Sequence, residues 1–159
     1  MTFKTLYRAG IVKRWHTNLT LKEQSIAEHQ WAVAMICTEL RPGNLPLLSA
    51  ALVHDLGESI TGDLPYMGKR LFPPLKTTSE IAERRFATRH ELVHIDVLSP
   101  ENQHCLKWAD MFEALLFAQR EVALGNQFMI EVVRNAREAL DTIGFPNQRA
   151  KELLDEFTA

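Results

Sequence analysis

The chain has little of what marks a secreted or membrane-bound protein. It carries two cysteines, Cys37 and Cys105, each in apolar surroundings and neither in a CxxC pair. That excludes a disulfide-built scaffold and points to buried free thiols in a reducing compartment. No run reaches the ~18 apolar residues that a membrane span needs, and the opening MTFKTLYRAG lacks the apolar core of a secretory signal. These absences predict a cytoplasmic protein with no membrane partner. A formal net charge of −2 lacks the basic excess that captures long nucleic acid, yet leaves room for a small anion held by a few local cations. Sustained period-two alternation of β-branched residues is missing too, so no sheet is expected. No internal repeat or low-complexity segment is present.

What remains is ordinary globular composition, 46% hydrophobic and 24% charged over 159 residues. That is enough to bury one core, and residues 1–159 read as a single domain. Helical periodicity dominates. SIAEHQWAVAMICTEL, Ser25 to Leu40, opens with the capping-box pattern Ser25-x-x-Glu28 and is stopped by RPGN. LPLLSAALVHDLGE resumes with Pro46 in a first-turn position and runs on to the His54-Asp55 pair. SEIAERRFATRHELVHI reads as one surface helix with Ile81, Phe86, Leu92 and Ile95 inward. SPENQHCLKWADMFEALLFAQREVA has Ser99 as N-cap, and FMIEVVRNAREALDTIG and FPNQRAKELLDEFTA supply two more amphipathic helices. The Pro- and Gly-containing stretch TGDLPYMGKRLFPPLK, Thr61 to Lys76, reads as the longest irregular loop. The expectation is an all-α compact helical bundle.

LVHDLGESITGDLP stands out within it. An apolar run ends in adjacent His54 and Asp55, with Glu58 one turn on. Adjacent helical residues point roughly 100° apart, so both reach one ion only near a helix end or kink, and Gly57 is suited to supply it. Imidazole and carboxylate both bind first-row divalent ions. His29 and Asp110, on other helices, are candidates to complete the set. Asp110 lies among Leu106, Trp108, Ala109, Met111, Phe112, Leu115 and Leu116. A buried carboxylate there requires a partner, either a cation, an arginine or a capping role. Trp31 and Trp108, beside His29 and Asp110, are expected to pack the walls of the site.

The order His…His-Asp…Asp on separate helices resembles the HD-domain metal-dependent phosphohydrolase superfamily. KRWH (Lys13–His16), IAEHQWAVA (Ile26–Ala34), ALVHDLGESITGDLP (Ala51–Pro65) and KWADMFEA (Lys107–Ala114) resemble, more closely, blocks of the small 5′-deoxynucleotidases and of phage dATP triphosphohydrolases. The resemblance implies His29, His54, Asp55 and Asp110 as ligands of one divalent metal ion per subunit, with Mn, Co, Zn, Fe or Mg all compatible. It implies Glu58 as the general base or water-positioning group, and Arg14 and Trp15 as the pair facing the nucleotide. Asp63 would accept a hydrogen bond from the sugar 3′-hydroxyl, and Lys69 would contact phosphate. The implied activity is phosphohydrolysis of a 2′-deoxynucleotide. The short chain leans toward a phage-type triphosphohydrolase releasing deoxynucleoside and triphosphate. The alternatives are a 5′-deoxynucleotidase releasing phosphate, and a non-catalytic regulatory or binding module. A small deoxynucleotide is then the partner, with a homo-oligomer, dimer or higher, expected from the apolar helix faces and the resemblance.

Overall fold

Segments that bury an apolar stripe while shedding charge outward form helices here, as the periodicity predicts. The computed structural model describes residues 3–158. Among them are nine α-helices: α1 (Phe3–Ala9), α2 (Ile26–Leu40), α3 (Leu45–Ala51), α4 (Glu58–Thr61), α5 (Tyr66–Leu71), α6 (Pro73–His90), α7 (Pro100–Ala123), α8 (Ile130–Ile143) and α9 (Gln148–Thr158). No strand occurs among the described residues beyond an isolated antiparallel bridge, Lys13 with Ser25. The all-α expectation holds.

Local chemistry explains the boundaries. The Ser25 hydroxyl accepts the Glu28 N–H while the Glu28 carboxylate accepts the Ser25 N–H, closing the capping box of α2. Asn44 caps α3 through the Leu47 N–H, and Ser99 caps α7 through the Asn102 N–H. The main core gathers Val33, Cys37, Leu47, Ala50, Leu106, Trp108, Ala109, Phe112, Leu115, Leu140 and Leu153 from α2, α3, α7, α8 and α9. A smaller cluster of Ala9, Ile26, Leu56 and Phe86 ties α1 and α6 to the start of α2. Both cysteines are free and buried, and burial pushes the Cys37 thiol up to about 12, where it stays protonated and inert.

Three expectations need correction. The stretch read as a long loop is largely helical, since α5 and the first turn of α6 occupy most of it. Its prolines mark starts rather than breaks: Pro65 flanks α5, and Pro73 and Pro74 sit in the first turn of α6, where a missing N–H costs nothing. Next, α3 stops at Ala51, so His54 and Asp55 lie in an irregular turn between α3 and α4 rather than on the helix itself. Finally, α6 ends at His90, where Glu91 adopts a left-handed conformation with φ 54°, so Leu92 and Ile95 lie beyond the helix.

Gly57 contributes to this turn differently from the kink expected of it. Its φ of −59° suits any residue. Space is what demands glycine, because a Cβ there would sit 2.5 Å from the Glu83 Cα. The helix α6 therefore packs directly on the backbone that carries His54, Asp55 and Glu58.

Candidate metal and nucleotide site

His29 comes from the first turn of α2, His54 and Asp55 from the turn after α3, and Asp110 from the middle of α7. The fold brings one ligand atom from each to within 4.8 Å of every other. His29 Nε2 stands 3.1 Å from Asp110 Oδ1 and 3.5 Å from Asp55 Oδ2. His54 Nε2 stands 3.5 Å from Asp55 Oδ2 and 3.9 Å from Asp110 Oδ1. Atoms ~2.1 Å from a common ion stand roughly 3 to 4.2 Å apart, so the four fit a single divalent cation.

The imidazoles carry a second sign. Both Nε2 atoms are buried and without a hydrogen-bond partner, a costly state for a polar atom unless something else binds there. The opposite nitrogens are engaged. His54 Nδ1 lies 2.8 Å from the Ala51 carbonyl oxygen, which only accepts, so Nδ1 carries a proton and Nε2 is the nitrogen left to bind an ion.

Charges around the cluster shift its titrations. Burial works against a charged His54, but the Asp55 and Asp110 carboxylates outweigh it and raise His54 to about 9. Burial likewise opposes ionised Asp110, yet the imidazoles of His29 and His54 hold its carboxyl well below the usual range. Bare of metal, the site stores protons that a dication would displace. Burial, and then the negative charge of Asp55, push Glu58 up to about 8.

Other predicted residues take these places. Glu58 opens α4 and is 2% exposed; its Oε2 has no partner, and its Oε1 lies 3.5 Å from Lys69 Nζ. Lys69, on α5 rather than in a loop, therefore faces the carboxylate expected to act as base. The Arg14 guanidinium donates to Asp55 Oδ2 at 2.9 Å, so it also braces a carboxylate of the cluster. Trp15 adopts φ 63°, a strained value for a bulky residue, and its N–H donates to Asp63 Oδ2 at 3.0 Å. Its ring stacks on Phe117, with centroids 5.1 Å apart. Asp110 differs from expectation: its side chain is 42% exposed, because the apolar helix α7 opens onto a cavity at that position. Trp108 is fully buried and stacked on Phe112. Trp31 is 64% exposed and forms no wall, since it occupies the solvent face of α2.

Two cavities meet at the cluster, sharing Asp55, Lys69 and Asp110 in their linings. One, of about 410 Å³, is lined by Arg14, Trp15, Asp63, Tyr66, Met111 and Ala114 among others. The second, of about 360 Å³, is lined by His54, Lys76, Glu83, Arg84 and Lys107 among others. An anion at the cluster can thus extend to either side.

Four supporting residues escaped the sequence reading. Gln24 and Glu113 are buried behind Trp15 and His29. The Gln30 amide, oriented to satisfy both its ends, donates to the Leu52 carbonyl oxygen and accepts the Asp55 N–H, each at 3.1 Å. Glu121, fully buried, accepts the N–H groups of Leu21 and Lys22 at 2.6 and 2.9 Å, pinning the loop that follows Trp15. Glu113 alone left a trace, its i,i+3 spacing from Asp110, which puts both on one face of α7.

An all-α bundle that converges two histidines and two aspartates from three separate segments, with a carboxylate one turn beyond the His-Asp pair, is the HD phosphohydrolase architecture. Residues 2–158 match the family model described as 5′-deoxynucleotidase YfbR-like, and the chain belongs to that family. It is 33% identical to the dATP triphosphohydrolase of Cyanophage S-2L over 69% of this chain and 65% of that protein, so it spans somewhat under two thirds of that relative's length. It is 26% identical to the 5′-deoxynucleotidase YfbR of Escherichia coli over 83% of this chain and 78% of that protein. In three dimensions it resembles the Cyanophage S-2L HD phosphohydrolase DatZ, solved with dA and one catalytic Zn²⁺, with a TM-score of 0.69, 26% identity and coverage of 99% and 94% of the two chains. A conserved hypothetical protein from Pyrococcus furiosus shares the fold, with a TM-score of 0.74, 23% identity and 98% coverage of both chains.

Proposed function

We propose that the chain is a divalent-metal-dependent phosphohydrolase of 2′-deoxynucleotides, its leading reaction the conversion of a deoxynucleoside triphosphate and water to deoxynucleoside and triphosphate. The observation that carries the metal reading is the pair of buried, unpartnered imidazole Nε2 atoms facing two carboxylates. An oxygen- and nitrogen-donor set of this kind suits Mn²⁺, Co²⁺, Zn²⁺ or Fe²⁺, with Mg²⁺ also compatible. His29, His54, Asp55 and Asp110 would hold the ion. Such an ion supplies Lewis acidity, acidifying water and drawing charge from phosphoryl oxygens.

The chain's own residues do the rest. Glu58 takes the proton of the attacking water, a task for which its buried Oε2, without a hydrogen-bond partner beside the cluster, is placed. Trp15 and Asp63 receive the sugar, the ring excluding a 2′-hydroxyl and the carboxylate accepting from the 3′-hydroxyl. Arg14 and Lys69, held beside the cluster by Asp55 and Glu58, grip phosphate oxygens. The larger cavity has the volume of a nucleoside-sized site. The second cavity gives room for further phosphates beyond the cluster, past Lys107 and past Lys76 and Arg84, which are ion-paired with Glu80 and Asp96.

A second reading, a 5′-deoxynucleotidase acting on monophosphates, is favoured by the family match across nearly the whole chain. A third, a non-catalytic module, fits poorly with a buried Glu58 oxygen left unpaired beside the cluster. Among the described residues no helix is long and apolar enough to cross a membrane. We read residues 1–159 as one cytoplasmic domain that assembles as a homo-oligomer, dimer or higher. Exposed apolar side chains such as Trp31, Phe128 and Phe157 support the assembly.

Ribo- and deoxynucleoside mono-, di- and triphosphates offered with Mn²⁺, Co²⁺ or Mg²⁺ test the activity. Triphosphate released from deoxynucleoside triphosphates bears out the leading reaction, and phosphate released from monophosphates alone moves the assignment to the second. Turnover of neither would overturn both.

A further inference from the structure

Behind the cluster, two buried side chains that no proposed step uses, Gln24 and Glu113, link Trp15 to His29 in a row. The Trp15 indole N–H donates to Gln24 Oε1 at 2.8 Å. Gln24 Nε2 donates to Glu113 Oε1 at 2.6 Å, and Glu113 Oε2 meets His29 Nδ1 at 2.5 Å. Gln24, Glu113 and His29 are 7%, 5% and 0% exposed, so water does not compete for these bonds.

The direction of the row is dictated by its chemistry. An indole nitrogen only donates, so the Gln24 oxygen must face Trp15 and its NH₂ must face Glu113. A carboxylate only accepts, so the proton between Glu113 and the imidazole sits on His29 Nδ1. His29 Nε2 is then left with its lone pair directed at Asp55 and Asp110.

We propose that Glu113, oriented by Gln24, is a positioning residue that fixes His29 as an Nε2 metal ligand, and that the same row holds the Trp15 ring in register with the metal. The inference rests on the metal reading of the cluster. Trp15 needs such a hold, because its backbone sits at φ 63° in a loop without regular structure. Glu113→Gln cannot reproduce the pattern: its amide oxygen can accept from His29 only if its NH₂ meets the Gln24 NH₂. Turning Gln24 to relieve that contact sets the Gln24 NH₂ against the indole N–H. One donor–donor contact persists in every arrangement that keeps the proton on His29 Nδ1, and moving that proton to Nε2 removes the nitrogen from the metal.

Calorimetric titration of the metal-stripped chain with Mn²⁺, together with steady-state kinetics at saturating Mn²⁺, tests this. Glu113→Gln should weaken Mn²⁺ binding roughly 10- to 100-fold, the range seen when a carboxylate behind a ligating histidine is removed. Gln24→Met should raise KM several-fold through the loosened Trp15 while moving kcat less. A folded Glu113→Gln chain with the parent's Mn²⁺ affinity overturns the proposal. A parent chain that binds no divalent ion overturns it together with the metal reading, which distinguishes the two failures. Should Glu113→Gln not fold, a ¹⁵N-histidine spectrum of the unsubstituted Zn²⁺-loaded chain decides: a protonated His29 Nδ1 supports the assignment, and an unprotonated one overturns it.

Discussion

Glu58 shows how one side chain can weaken the fold in the service of the site. It is 2% exposed, and burial followed by the charge of Asp55 raises it to about 8, against about 4.3 in an unfolded chain. Between those values the unfolded chain releases the proton and the folded chain keeps it, so stability is greatest below the lower value and falls as pH rises toward the upper one. In the metal-free chain Glu58→Gln should therefore leave stability near pH 4.5 almost unchanged. Near pH 8.5 it should gain on the order of 3 kcal/mol. Thermal melts of parent and variant in chelator at the two pH values check this, and a gain that does not grow with pH refutes it. The same substitution should abolish turnover, because an amide does not take a proton from water. The cost is consistent with a functional demand, since nothing in packing alone calls for a carboxylate there.

At the scale of elements, the His-Asp turn is held by neighbours on both sides. The Gln30 amide of α2 grips it through Leu52 and Asp55, and α6 lies so close that only glycine fits at position 57. Gly57→Ala should push α6 away or twist the turn, costing about 1–3 kcal/mol by overpacking and weakening Mn²⁺ binding as His54 and Asp55 shift. Denaturant unfolding and a metal titration measure the two effects, and an alanine variant with parental values for both refutes the packing account. The helices themselves were legible in sequence because their caps and stripes are local: Ser25 with Glu28, Pro46, and Ser99 each mark a start. The region from 61 to 76 was misread because its prolines, which break a helix from within, here begin two. The candidate ligands were legible as a pattern of rare residue types. Gln24, Gln30 and Glu121 were not, because a buried amide or carboxylate carries no sign in sequence of which distant N–H it will meet.

Across the whole molecule, the cluster joins segments far apart in the chain: the start of α2, the turn after α3 and the middle of α7. In the structure the Asp55 and Asp110 carboxylates face each other with the His29 and His54 imidazoles and the Arg14 guanidinium beside them. A dication there replaces mutual repulsion with four shared bonds, and because the unfolded chain offers no such arrangement, the binding energy adds to folding. At 100 times its dissociation constant an ion should stabilise the chain by about 2.7 kcal/mol, raising the melting temperature by roughly 5–10 °C for a chain of this size. Mn²⁺ is the better probe, since Zn²⁺ also binds the cysteines and histidines of the unfolded state and loses part of the effect. Asp55→Ala should erase the shift and the activity together while the helical signal persists, because Asp55 is both a proposed ligand and the anchor of Arg14. Chelator should reverse the shift in the parent and do nothing to the variant. A parent chain that melts at one temperature with and without Mn²⁺ would mean that the four side chains converge for some reason other than a metal, and that the proposed chemistry has no place to occur.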